Sequence, residues 1–227
     1  MAGTLYLVSV GAGDPDWMTL GALKAIERCP VIAAPRVGDS MTALHIAEGA
    51  ADLSGKVILP LDLPMSAQMQ PLYDRAADVL CDALGQGDTA FLCLGDASTF
   101  ASAYPIGQRV RRRGFAVQTV CGVTSFSAAA AKTEMPIGYG STPAQILPFG
   151  CEGFAERLRL PGTKVILKAG RHLPALCKML EDAGMLDNAR AVENCGMAHE
   201  RIYTDLRKCE SLGYFTVVIV HDEKGDA

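Results

Sequence analysis

Two short segments carry residues that suit contact with a small polar ligand. The first, VGAGDP at 10–15, contains glycines that permit a tight turn and a close approach of the backbone to a ligand. Exposed amides in such a turn can bind an anion. Asp14 is either a proton acceptor or an ordinary turn aspartate. The segment is not a GxGxxG dinucleotide site, because Asp16 stands where the third glycine belongs, and the GK[ST] of a triphosphate loop is missing.

The second segment is LGDASTF at 94–100, which follows another apolar run. Asp96 is suited to accept hydrogen bonds from an amino or hydroxyl group of a ligand, or to cap the next turn. Ligands of open α/β sheets bind at the carboxyl ends of the strands, so we expect these two loops to share one crevice. A third segment, CGVTSFSAAAA at 121–131, places Thr124 and Ser125 at a helix start, where capping is the alternative to ligand contact.

Composition restricts the class of protein. The chain has 227 residues, of which 49% are apolar, so it can bury one large core or two small ones. Its net charge of −4 argues against a general nucleic-acid binder. It has neither an apolar run of membrane-spanning length nor a leader-like start. We therefore expect a cytoplasmic protein that acts on a small molecule, away from membranes.

The cysteines and histidines are scattered. None of the eight cysteines forms a CxxC pair, and the four histidines are equally dispersed. We expect reduced, partly buried thiols and no metal site.

The apolar pattern predicts alternating strands and helices. Strands are expected at 5–10, 31–34, 56–59, 89–94 and 116–120, with helices at 19–28, 42–50, 70–84 and 104–113. Thr19 is a suitable cap for the first helix, whose apolar side includes Leu20, Leu23 and Ile26. A second series contains helices at 124–132, 154–160 and 173–183 and strands at 145–148, 164–167, 189–192 and 214–220. This predicts an α/β protein with two domains, 1–120 and 121–227.

The order and spacing of these segments resemble the tetrapyrrole methylases of corrin and sirohaem synthesis over nearly the whole chain. The resemblance is carried by the GDP turn followed by a threonine, the GD loop near residue 95 and the GVTS turn near residue 122. Within that family, three segments look most like the members that methylate precorrin-2 at C-20. They are LPM at 63–65, the SFSAAAA helix and ENCGMAHERIYTDL at 193–206.

The resemblance implies two α/β domains with S-adenosylmethionine in the cleft between them, a tetrapyrrole substrate of cobalamin biosynthesis, and a homodimer. Asp14 would lie near the reacting ring as the catalytic candidate. Arg36 and Ser40 would bind the acetate and propionate groups of the substrate. The cofactor site would contain Ala12, Leu94, Gly95, Asp96, Thr99, Thr124, Ser125, Lys168, Ala169, Cys195 and Thr216.

The chain departs from the family pattern at a few small residues. Ser9 replaces a frequent glycine, and Ala12, Ala97 and Cys121 replace frequent prolines. Alanine at 97 leaves free a backbone dihedral that proline would restrain.

Three other functions stay open at this point. The chain could methylate a cobalt-containing ring or another ring carbon, or it could carry a tetrapyrrole without catalysis. A third alternative is a nicotinamide-dependent oxidoreductase, which the broken glycine pattern disfavours.

Overall fold

The computed structural model describes residues 2–64 and 68–221 and divides the chain into two compact units, 1–124 and 125–227. Both units combine helices with a sheet, which confirms the predicted α/β class. Met65, the last residue of the LPM segment, lies outside the described residues.

The first unit alternates strands with helices along the chain. Its described strands are β1 (Thr4–Ser9), β2 (Val31–Arg36), β3 (Val57–Asp62), β4 (Thr89–Cys93) and β5 (Ala116–Val120). Its described helices are α1 (Leu20–Arg28), α2 (Thr42–Glu48), α3 (Met69–Leu84) and α4 (Ala103–Arg112). All strand pairs are parallel, in the order β3-β2-β4-β1-β5 among the described residues. The loops after β4, β1 and β5 therefore emerge side by side at one edge.

Burial explains why these segments form strands and helices. β4 is buried along its whole length, as apolar strands are when helices cover both faces of a parallel sheet. In α1, Thr19 caps the first turn by accepting a hydrogen bond of 3.1 Å from Ala22 N–H, as predicted. The prediction was wrong for Leu20, which is 74% exposed, because the buried side of α1 is formed by Ala22, Ala25 and Ile26.

The second unit has a mixed sheet. Its described strands are β6 (Ala144–Pro148), β7 (Thr163–Leu167), β8 (Ala189–Glu193), β9 (Arg201–Tyr203) and β10 (Thr216–Val220). Its described helices are α5 (Ser125–Thr133), α6 (Phe154–Leu158) and α7 (Leu173–Asp182). Within the described residues the order is β6-β7-β10-β8-β9, and β10 runs antiparallel to both of its neighbours. The amino end of β10 therefore lies beside the carboxyl ends of β7 and β8.

Candidate active site

Loops after three adjacent strands are joined at the carboxyl edge of the first sheet. The loops after β1 and β4 form a short antiparallel bridge between Gly11 and Gly95. Gly11 N–H donates to Gly95 O at 3.2 Å, and Gly95 N–H donates to Gly11 O at 2.7 Å. Both glycines have positive φ, 79° and 74°, which side chains rarely tolerate. The prediction that the loops at 10–15 and 94–100 lie close together is therefore confirmed.

Asp96 connects the loop after β4 to the loop after β5. One carboxylate oxygen accepts from the backbone N–H and the hydroxyl of Ser98 and from the Thr99 hydroxyl. The other accepts a hydrogen bond of 2.8 Å from Gly122 N–H. Burial raises the pKa of this carboxyl, but the hydrogen bonds outweigh burial and hold the pKa below its ordinary value. Asp96 is thus an ionised carboxylate that organises two loops, the capping role foreseen as an alternative to ligand contact.

Ser9 and Thr19 tie the same loops together. Ser9 Oγ donates to Val120 O at 2.6 Å and accepts from Ala97 N–H at 2.9 Å. Thr19, besides capping α1, donates from its hydroxyl to Cys121 O at 3.3 Å. Neither of these loop-joining roles was predicted. For Ser9 there was a signal, because a small polar residue at the end of a strand can form hydrogen bonds to neighbouring loops.

Asp14 caps the short helical turn Pro15–Trp17 at the edge of this site. Its Oδ1 accepts a hydrogen bond of 3.0 Å from Asp16 N–H, and its side chain is partly exposed. A carboxylate offers about four lone-pair positions, so one capping bond leaves capacity for a proton or a ligand donor. Ala12, between Gly11 and Gly13 in the same loop, is buried.

Arg36 is the last residue of β2, and Ser40 lies in the loop after it, at the same edge of the sheet. The Arg36 guanidinium forms a bidentate pair with Asp62 at the end of β3, with Nε–Oδ1 at 2.7 Å and Nη2–Oδ2 at 3.0 Å. This ion pair and its hydrogen bonds raise the pKa of Arg36 and lower that of Asp62. Ser40 pairs with Val37 in a small backbone bridge. The sequence interpretation missed Asp62, which holds the predicted cation in place.

Four predicted residues of the second unit share one edge of its sheet. Lys168 and Ala169 follow β7, Cys195 follows β8, and Thr216 begins β10. The register places Thr216 opposite Glu193 and Val217 opposite Leu167, so strand pairing itself brings these positions together.

The loops at this edge are tightly packed. Thr216 Oγ1 donates to Gly213 O at 2.9 Å, and Gly213 N–H donates to Glu193 Oε1 at 2.5 Å. A Cβ on Gly170 would lie 1.9 Å from Gly213 O, so only glycine fits there. Burial, assisted by the charge of Glu200, raises the pKa of the Cys195 thiol to about 11.

Thr124 and Ser125 belong to different units. Thr124 is the last residue of the first unit, and Ser125 is the first residue of α5. Both are partly buried.

Among residues 2–64 and 68–221, the structure has no group of three or more histidine, cysteine or acidic residues suited to a metal ion. Over the same residues, it has no helix long and apolar enough to cross a membrane.

The fold and loops define an α/β protein of two sheets, and the loops at one edge of the first sheet contain glycines and are joined by the Asp96 carboxylate. The chain belongs to the tetrapyrrole (corrin/porphyrin) methylases, whose family model matches residues 4–209. The family predicted from the motifs is therefore confirmed.

Two relatives match this chain over nearly their full length. Precorrin-2 C(20)-methyltransferase of Sinorhizobium sp is 30% identical over 237 residues, covering 96% of this chain and 95% of that protein. Cobalt-precorrin-2 C(20)-methyltransferase of Salmonella typhimurium is 26% identical over 236 residues, covering 98% of each.

A solved structure shares the fold. Uroporphyrin-III C-methyltransferase from Thermus thermophilus, complexed with S-adenyl homocysteine, superposes with a TM-score of 0.70 at 19% identity, covering 96% of this chain and 97% of that chain.

Proposed function

We propose that this chain transfers the methyl group of S-adenosylmethionine to C-20 of precorrin-2 in cobalamin biosynthesis. The observation that carries the proposal is the 30% identity to a precorrin-2 C(20)-methyltransferase along 96% of the chain. The same proposal includes a homodimer that acts in the cytoplasm, and sedimentation velocity of the purified chain tests the dimer.

The first unit suits the cofactor. Apart from Gly95 itself and its two chain neighbours, no described residue has a heavy atom within 4 Å of a Cβ built on Gly95, so a ligand has room to approach this backbone. The ionised Asp96 supplies negative charge beside a loop that would receive a sulfonium cation. We propose that the cofactor is held by Ala12, Leu94, Gly95, Asp96, Thr99 and Thr124 of this unit, and by Ser125, Lys168, Ala169, Cys195 and Thr216 of the second.

The protein's contribution to the reaction would be positioning. S-adenosylmethionine supplies an electrophilic methyl group, and the reduced ring supplies an enamine-like carbon. Holding two reactants in line can account for a large part of a rate enhancement. The two backbone hydrogen bonds between Gly11 and Gly95 restrain the proposed cofactor loops relative to each other.

Asp14 would accept the proton that the ring loses after methylation. The residue lies in the loop after β1, beside the proposed cofactor loop, and the capping bond from Asp16 N–H leaves other lone pairs of its carboxylate available. Arg36 would bind a substrate carboxylate together with Ser40. Asp62 occupies the Nε–Nη2 side of the guanidinium, so the end formed by Nη1 and the second N–H of Nη2 can form another bidentate contact.

The reaction is tested by incubating the chain with methyl-labelled S-adenosylmethionine and either precorrin-2 or its cobalt complex. Mass spectrometry and NMR identify the methylated position. Label at C-20 of precorrin-2 supports the proposal. Preference for the cobalt complex would favour the second candidate, which the 26% identity to the Salmonella enzyme supports. Cofactor binding without transfer to either ring contradicts the substrate, and failure to bind the cofactor contradicts methyl transfer altogether.

A matched pair of glycine variants tests the cofactor site. Gly95 and Gly114 both have positive φ, 74° and 93°, and neither has a described heavy atom within 4 Å of an added Cβ. Gly114 lies between α4 and β5, at the opposite edge of the sheet. Gly95→Ala and Gly114→Ala should therefore introduce similar backbone strain, whereas only Gly95→Ala should weaken cofactor binding in calorimetric titration. Equal effects on binding would place the cofactor elsewhere.

A further inference from the structure

We propose that Ser9 and Ala97 form a coupled pair that positions the Asp96–Thr99 turn for cofactor binding. The positioning part rests on the proposed function, whereas the coupling rests on contacts alone. Ser9 is fully buried at the end of β1. Its hydroxyl accepts a hydrogen bond of 2.9 Å from Ala97 N–H and donates one of 2.6 Å to Val120 O. One hydroxyl thereby joins the ends of three adjacent strands.

The turn geometry explains why Ala97 needs this bond. Thr99 N–H donates to Asp96 O at 3.1 Å, which defines a four-residue turn with Ala97 in its second position. Proline is favoured at that position because its ring restrains φ. Alanine lacks the restraint but retains an N–H, and here that N–H is anchored to Ser9. The hydrogen bond therefore replaces the covalent restraint of a proline.

Changing either residue alone breaks the bond between Ser9 and Ala97. Ala97 is fully buried, so removal of the Ser9 hydroxyl leaves a buried N–H without its partner, which is costly. A proline at 97 has no N–H and puts a ring carbon against the Ser9 hydroxyl. The structure cannot easily shift to absorb this carbon, since the Cβ of Ser9 already packs against Gly122, where an added Cβ would come within 2.5 Å. Replacing both residues removes the unsatisfied N–H and the clash together.

The test is a double-mutant cycle with Ser9→Ala, Ala97→Pro and the combined variant. Each single change should weaken S-adenosylmethionine binding about tenfold or more, because both break the bond between Ser9 and Ala97, and Ser9→Ala also loses the bond to Val120 O. The double variant should bind more tightly than either single variant, because the turn regains its restraint and only the bond to Val120 O stays lost. The KM for S-adenosylmethionine should follow the dissociation constant while kcat at saturation changes little. Free energies of unfolding from urea titration provide a second cycle.

Thr133→Val is the control for loss of a buried hydroxyl. Thr133 Oγ1 donates to Ala129 O at 2.8 Å in α5, which belongs to the second unit. Combined with Ala97→Pro, it should show additive effects on binding and on unfolding. Additive effects in the Ser9–Ala97 cycle would overturn the proposal. Coupling in unfolding without coupling in binding would overturn the positioning role and leave a purely structural pair. If the parent binds no cofactor, the proposed function and the positioning role fail together, while the unfolding cycle still decides whether the residues are coupled.

Discussion

Asp96 Oδ2 accepts a hydrogen bond of 2.8 Å from the backbone N–H of Gly122, 26 residues further along the chain. The other oxygen of the carboxylate accepts from Ser98 and Thr99 inside its own turn. One side chain therefore sets the spacing between the loop after β4 and the loop after β5. Because both loops belong to the proposed cofactor site, changes at either end of this bond should alter stability and binding together.

Asp96→Asn should destabilise the protein by about 1–3 kcal/mol at neutral pH, since the amide would turn an NH2 group toward a backbone donor. The stability difference should depend on pH. Hydrogen bonds outweigh burial and lower the folded pKa of Asp96 below the ordinary 3.8. The stabilisation is therefore complete above the unfolded pKa and is lost as pH falls through the folded pKa. Urea unfolding between pH 7 and pH 3 should show the two proteins converging in acid, and a constant difference would refute this.

Gly122→Ala should be strongly destabilising. The added Cβ would lie 2.5 Å from Ser9 Cβ and 3.1 Å from Gly95 O, so the joined loops must separate. Overpacking of this kind costs about 1–3 kcal/mol. Gly138→Ala is the control, because no described heavy atom lies within 4 Å of its added Cβ, and it should change stability by less than about 0.5 kcal/mol. Equal urea midpoints for the two variants would show that the loops are looser than described.

Asp14→Asn should lower kcat about a hundredfold if Asp14 accepts the ring proton. The substitution suits the question because asparagine caps a helical turn as well as aspartate does, so the hydrogen bond from Asp16 N–H can persist. The steady-state rate of methyl transfer at saturating substrates is the measurement. Asp16→Asn, in the same turn and exposed, should leave kcat unchanged. Undiminished transfer by Asp14→Asn would remove Asp14 from the chemistry.

Arg36→Lys should raise the KM for the tetrapyrrole about tenfold with little change in kcat, because lysine keeps the charge but not the two-sided fork. Arg28→Lys is a matched control. Arg28 pairs with Asp88 at 3.0 Å in the same unit, but Asp88 precedes β4 at the amino edge of the sheet. Steady-state kinetics with precorrin-2 should separate the two variants. A similar KM for both would exclude Arg36 from substrate binding.

Cys121 should be alkylated by iodoacetamide at pH 8 well before Cys195. Cys121 is exposed, whereas Cys195 is buried and its pKa is raised to about 11, so only about one Cys195 thiol in a thousand is ionised. Peptide mass spectrometry over a time course measures both sites. A Cys121→Ser variant that still incorporates label at 195 at the same early times would contradict the burial of Cys195.

The order of strands and helices could largely be predicted from local pattern. β5 begins and ends at the predicted residues, and α1 begins after its predicted cap, because apolar periodicity and capping act within a few neighbouring residues. β9 was not predicted, since the three residues Arg201–Tyr203 become a strand only by pairing with β8. β10 was predicted to begin at Tyr214 but begins at Thr216, the residue that pairs with Glu193 of β8.

The sequence by itself determined the α/β class, the motifs that identify the family, and the loops expected to contact a cofactor. Only the tertiary structure decided how those loops are held. Ser9 lies 88 residues from Ala97 and 111 from Val120, and Arg36 lies 26 residues from Asp62. Residues so far apart meet because β1 lies between β4 and β5, and β2 beside β3. Strand order is a property of the whole core, so no local pattern of residues could predict these contacts.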